Sequence, residues 1–71
     1  MNEYRGFNIF VPERVKIQRK QQGLSMVDFA EKVGVTKLTV FNWEHGLYEP
    51  NHINMPKLCE ATDKHPSYYY N

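Results

Sequence analysis

Apolar residues recur along this chain in short groups at three-to-four spacing, each group bounded by residues that start or stop helices. The leader, residues 1–11, is different. Its Phe7, Ile9 and Val11 alternate with Asn8 and Phe10, which predicts an extended arm or a short strand and no helix. Pro12 suits a first helical turn, where its missing N–H costs nothing. A helix from about Pro12 to Gln22 then lines Val15, Arg19 and Gln22 along one side, and Gly23 stops it.

Ser25 followed by Asp28 resembles a capping box ahead of a second helix, about Met26 to Val33, with Phe29, Ala30 and Val33 on one face. Gly34 breaks that helix. Thr36 caps a third, about Lys37 to His45, whose inward side is Val40, Trp43 and Glu44, and Gly46 ends it. Leu47 to Ile53 reads as a loop around Pro50. Asn54 is the expected cap of a fourth helix, with Met55, Leu58, Cys59, Ala61 and Thr62 on its buried face, and His65-Pro66 opens a last turn through Tyr70. No repeat or low-complexity segment interrupts this order. The expected division is an arm over 1–11 and one domain over 12–71.

The stretch Ser25 to Gly46, SMVDFAEKVGVTKLTVFNWEHG, carries the most information. Two short helices meet at a tight Val33-Gly34-Val35 turn. Ala30 is small where the helices approach most closely, and Gly34 can take the positive φ that such a turn demands. Apolar residues at 29, 33, 35, 40 and 43 close a small core between them. Together these positions describe a helix-turn-helix.

Composition narrows the function classes. With 71 residues, 41% hydrophobic and 24% charged, the chain makes one small globular domain. No apolar run approaches the roughly 20 residues of a membrane span, and the leader lacks a secretory apolar stretch, so a cytoplasmic location is expected. The single Cys59 excludes an internal disulfide and fits a reducing compartment. His45, His52, His65 and Cys59 match no zinc spacing, and no nucleophile–base pair or Gly-rich phosphate loop is present, so neither a metal, a cofactor, a small-molecule substrate nor catalysis is expected. A net charge of +1 speaks only weakly for a nucleic-acid partner. Its distribution speaks more clearly: Arg14, Lys16, Arg19 and Lys20 crowd one early segment, and Glu49, Glu60 and Asp63 lie in the last third.

From about residue 12 to residue 70 the chain resembles the Cro/phage-repressor (xenobiotic-response-element type) helix-turn-helix family. The resemblance rests on ERVKIQRKQQGLS, DFAEKVGVT, Trp43-Glu44-His45-Gly46, Pro50, the pattern of Met55, Leu58, Cys59 and Ala61, and the ending HPSYYYN. It implies an all-α, five-helix bundle of the lambda-repressor-like DNA-binding type, with the third helix in the DNA major groove. It also implies a buried pair between Arg19 and Glu44. Both are charged residues on otherwise inward faces, and a buried charge is costly unless paired; the alternative is that both point to water.

In such motifs the recognition helix reads bases while the helix before it crosses the backbone. Carried over by position, the resemblance makes Lys37, Leu38 and Asn42 base-contacting candidates, with Phe41 on the same exposed side. Lys37 suits guanine O6/N7, Asn42 suits adenine N6/N7, and Leu38 offers apolar contact, for example with a thymine methyl. Phosphate-contacting candidates are Ser25, Met26, His45, Asn51 and His52, with Thr39 and Lys20 weaker. Three positions depart from the family pattern. Met26 stands where Gln is frequent, Leu47-Tyr48-Glu49 lacks the usual Lys or Arg, and Asp63-Lys64 replaces a Gly-apolar pair.

The implied partner is double-stranded DNA, bound as a homodimer on a two-fold site by a phage or prophage repressor or Cro-like protein. A protein-interaction module of the same fold, antitoxin-like or anti-repressor, is the other reading, favoured by Phe41, the Leu47-Tyr48 loop, the tyrosine tail and the low net charge. Tyr68, Tyr69 and Tyr70 cannot all face the core of a short helix, so they are candidate dimer contacts, unless the tail has no fixed place.

Overall fold

A computed structural model describes residues 9–71. Phe7 and Asn8, like the rest of the leader's first eight positions, lie outside the described residues. Four α-helices follow: α1 (Pro12–Gln21), α2 (Met26–Val33), α3 (Lys37–Glu44) and α4 (Asn54–Thr62). A 3₁₀ helix, Pro66–Tyr69, closes the chain. The expected fifth α-helix is therefore corrected to this single short turn. Its start is set by Pro66, and its end by Tyr70, whose extended backbone (φ −123°, ψ 153°) leaves the helix to meet Phe10 in an antiparallel bridge.

The local rules explain α2 and α3. Ser25 Oγ accepts from Asp28 N–H at 3.1 Å, and Thr36 Oγ1 accepts from Thr39 N–H at 3.2 Å, each satisfying an orphan donor of a first turn. Between the helices Gly34 sits at φ 94°, ψ 35°, and its N–H donates to Ala30 O. At α4 the cap is not Asn54, which is the first helical residue. Asn51 takes that role: its Oδ1 accepts from Ile53 N–H at 3.0 Å and from Asn54 N–H at 2.8 Å. Ile53 already has helical dihedrals (φ −86°, ψ −40°), so the cap must come from further upstream.

The core is one cluster, Val15, Phe29, Ala30, Val33, Val40, Trp43, Met55, Leu58 and Tyr69, drawn from all four α-helices and the final turn. Burying each large apolar side chain is worth about 1.5–3 kcal/mol, so Val40 and Trp43 hold α3 firmly by its inner face. Gln18 and Thr62 are buried as well. Gln18 Nε2 donates to Tyr68 Oη at 3.0 Å, and Thr62 Oγ1 donates to the Leu58 carbonyl at 2.8 Å.

The tyrosine tail is tied to the arm's end. Val11 N–H donates to Tyr69 O at 2.8 Å, and Asn71 N–H donates to Ile9 O at 2.8 Å. Arg14 Nη1 donates to both the Tyr68 and Tyr70 carbonyls, each at 3.0 Å. Thus residues 9–11, the described part of the arm, run extended beside the tail. Tyr69 is wholly buried, so a dimer contact by Tyr69 is corrected to a core position.

Candidate nucleic-acid interface

The outer face of α3 is where the candidates gather. Val40 and Trp43 turn inward, which leaves Lys37, Leu38 and Phe41 exposed on the other side of a helix with 3.6 residues per turn. These three line a shallow, mostly apolar dish of about 320 Å³. Phe41 stacks on His45 one turn later, with ring centroids 3.9 Å apart and planes tilted by 31°.

Beside the dish lies a cleft of about 340 Å³, lined by Thr39, Asn42, Trp43, Tyr48, Glu49, Asn51 and Asn54. It places Asn42 with Thr39 and Asn51, three candidates that the sequence separates by up to twelve positions. Because Asn51 Oδ1 is taken by its capping bonds, what the side chain offers a further partner is its two Nδ2–H donors. Ser25 and Met26 stand at the start of α2, Ser25 exposed and Met26 half-buried against the core. His52 is exposed in the turn before α4.

Arg19 and Glu44 hold this face from beneath. Arg19 Nε donates to Glu44 Oε2 at 2.7 Å and Nη2 to Oε1 at 3.1 Å, while Nη1 donates to the Leu24 carbonyl at 3.0 Å. The pair is nearly buried, with side-chain exposures of 11% and 2%. Its hydrogen bonds with Glu44 push the Arg19 pKa up, against the effect of burial. The guanidinium thus joins the end of α1, the loop before α2 and α3 through one group.

Electrostatics differ from what the sequence suggests. Of the early cluster, Arg14 is tied through Nη1 to the tail carbonyls and Arg19 to Glu44, so both cations serve contacts within the chain. Lys37 is the cation on the α3 dish. Tyr68 and Tyr70 are half-buried and held within the chain, Tyr68 Oη by Gln18 and Tyr70 Oη by donating to Glu49 Oε1 at 2.6 Å. Sequence reasoning missed Glu49 and Tyr48 as walls of the cleft, and only their position just after α3 pointed to them.

The helix-turn-helix family profile matches residues 15–69. The chain belongs to the Cro/C1-type helix-turn-helix family. This is a family of DNA-binding regulators, not of enzymes. Two relatives are HTH-type transcriptional regulators that are themselves uncharacterised. The one from Sinorhizobium fredii is 29% identical over 63 residues, covering 89% of this chain and 44% of that protein. The one from Methanothermobacter thermautotrophicus is 36% identical over 47 residues, covering 66% and 68%. This chain therefore spans less than half the length of the first.

Among solved structures, the chain is similar to the P22 c2 repressor in complex with a synthetic operator, with a TM-score of 0.78 and 29% identity over 82% of this chain and 88% of that one. It is also similar to the restriction-modification controller protein of Aeromonas hydrophila, with a TM-score of 0.72 and 28% identity over 82% and 84%. Among the described residues no helix is long and apolar enough to cross a membrane, and no three potential ligands cluster for a metal.

Proposed function

We propose that this protein is a sequence-specific transcriptional regulator, a phage or prophage repressor or Cro-like protein, that lays α3 in the major groove of an operator. One observation carries the reading. On a helix fixed by Val40, Trp43 and the Arg19–Glu44 pair, the residues left outward are Lys37, Leu38 and Phe41, with Asn42 at the adjoining cleft. A fixed helix presenting donors and an apolar surface is what reading base edges requires. The similar P22 c2 repressor was solved on a synthetic operator, which supports the same use of the fold here.

In this reading Lys37, Leu38, Phe41 and Asn42 face the bases. Ser25, Met26, Thr39, His45, Asn51 and His52 lie along the phosphates. The N-terminus of α2 adds its partial positive charge to that contact. A homodimer on a two-fold site, with half-sites about one helical turn apart, supplies the affinity that one small domain lacks. The regulator works in the cytoplasm, on double-stranded DNA and without a cofactor.

A second reading is a protein-interaction module of the same fold. It is favoured by Leu47 and Tyr48, which are 60% and 68% exposed beside the cleft. Selection of bound duplexes from a random pool, with affinity measured at two salt concentrations, separates the two. A two-fold-symmetric motif whose binding falls steeply with salt supports the regulator. In that case Asn42→Ala lowers affinity for the selected motif far more than for unrelated duplex. No enrichment, with a salt-insensitive complex captured on a protein partner, overturns it.

A further inference from the structure

Glu49 stands on a ridge between two hollows. On one side is the cleft of Asn42 and Asn51; on the other is a groove of about 520 Å³ lined by Ile9, Phe10, Pro12, Gly46, Leu47 and Tyr48. An exposed carboxylate on such a ridge is free to serve either side. Its one described hydrogen bond is the 2.6 Å contact from Tyr70 Oη, short as expected when the acceptor is ionised.

Tyr70 is itself fixed. Its backbone pairs with Phe10, its carbonyl accepts from Arg14, and its ring meets Phe10 edge-on at 5.9 Å. The hydroxyl therefore has a defined place on the arm side of the ridge. The whole chain carries a net charge of only +1, and Lys37 is the cation on the α3 dish. One carboxylate turned toward the same phosphates would offset that lysine.

We propose that Tyr70 is a positioning residue for DNA binding: its hydroxyl ties the Glu49 carboxylate, on the wall that the cleft shares with the groove, toward the arm, so that it does not swing out to the phosphates that would lie over the cleft. The proposal rests on the DNA-binding reading above and adds to it a role for the C-terminal tail. The tail, though not in contact with DNA, sets the charge that DNA meets.

The test uses the whole chain and duplexes recovered by selection from a random pool, with affinity measured between about 50 and 200 mM salt. Tyr70→Phe keeps the ring and removes the tether. It is expected to lower affinity about two- to fivefold, the range of a single exposed charge interaction, and to flatten the salt dependence. In a Glu49→Gln background the same substitution is expected to change nothing, because the carboxylate is gone. An equal loss in both backgrounds would mean that the hydroxyl only supports the tail, and would overturn the proposal.

Glu49→Gln alone gives an independent reading that does not depend on the tail's folding. With the carboxylate already held aside, neutralising it changes affinity less than about twofold. A several-fold gain would place the carboxylate against the bound phosphates and overturn the tether. If the unaltered chain binds no duplex in a salt-dependent way, the DNA reading falls and takes the tether's role with it. Binding by the unaltered chain without coupling between Tyr70 and Glu49 removes the tether alone.

Discussion

Arg19 and Glu44 meet through two parallel hydrogen bonds, so α1 and α3 share a single charge-neutral joint. With Glu44 only 2% exposed and the third donor of Arg19 on the Leu24 carbonyl, removing either partner strands the other. Glu44→Ala is expected to destabilise the fold by about 3–5 kcal/mol, measured from urea unfolding. The double substitution Arg19→Met with Glu44→Leu is expected to cost much less, because no buried charge is left unpaired. A double variant as unstable as Glu44→Ala would assign the loss to packing instead.

This joint was legible in the sequence because both charges fall on faces that their helices otherwise bury. So were α2 and α3, since Ser25, Gly34 and Thr36 act on neighbours within a few residues. The tail was not. Gln18 with Tyr68, and Arg14 with the Tyr68 and Tyr70 carbonyls, join positions at least 50 residues apart, and no periodicity connects them. The start of α4 failed for a different reason: Asn51 and Asn54 are both good caps, and local pattern does not choose between them. On α3, Lys37, Leu38 and Asn42 became candidates through the family resemblance, carried over by position, and Phe41 through the exposed side it shares with them. Glu49 was not legible, because its role depends on where the tail comes back.

The buried tail makes stability sensitive to alkali. Burial pushes the Tyr69 phenol up from 10 to about 12, and burial with the bond to Glu49 pushes Tyr70 up to about 12. Each group is protonated in the folded chain over a range where the unfolded chain has ionised, so the unfolded state binds fewer protons there and stability falls as pH rises. The contribution is complete below pH 10 and is lost between about 10 and 12. Unfolding midpoints followed across that window, beside phenolate absorbance, check it. For Tyr69 alone the loss is on the order of 2–3 kcal/mol. Since Thr62 gives its proton to the Leu58 carbonyl, Tyr69 Oη is the donor to Thr62 at 2.6 Å. Tyr69→Phe should therefore cost about 0.5–1.5 kcal/mol at neutral pH and shrink the alkaline step.

Two left-handed positions predict substitutions of opposite sign. Asp63 ends α4 at φ 55°, ψ 44°, a conformation glycine adopts without strain. Asp63→Gly is expected to raise stability by about 0.5–1 kcal/mol. At Gly34, a methyl group would meet nothing closer than Lys57 Cδ at 4.0 Å, so Gly34→Ala is penalised by backbone strain alone, about 1–2 kcal/mol. Thermal midpoints of both variants decide the matter, and a loss on Asp63→Gly would mean that the aspartate side chain supports the turn.

Leu38 is 66% exposed on the outer face of α3 beside the exposed Phe41, which leaves an apolar surface for a partner to cover. If α3 enters the major groove as proposed, that partner is the thymine methyl, the apolar group that base edges present there. Replacing thymine by deoxyuridine, one position at a time in a selected duplex, removes only that methyl. At the contacted position the expected loss is about 0.8 kcal/mol, roughly fourfold in affinity. For Leu38→Ala the same replacement should make little difference, since there is no longer a side chain to cover the methyl. Equal sensitivity in both proteins would move the methyl contact to Phe41, the other large apolar residue of the dish, and Phe41→Ala would then be the variant that loses it.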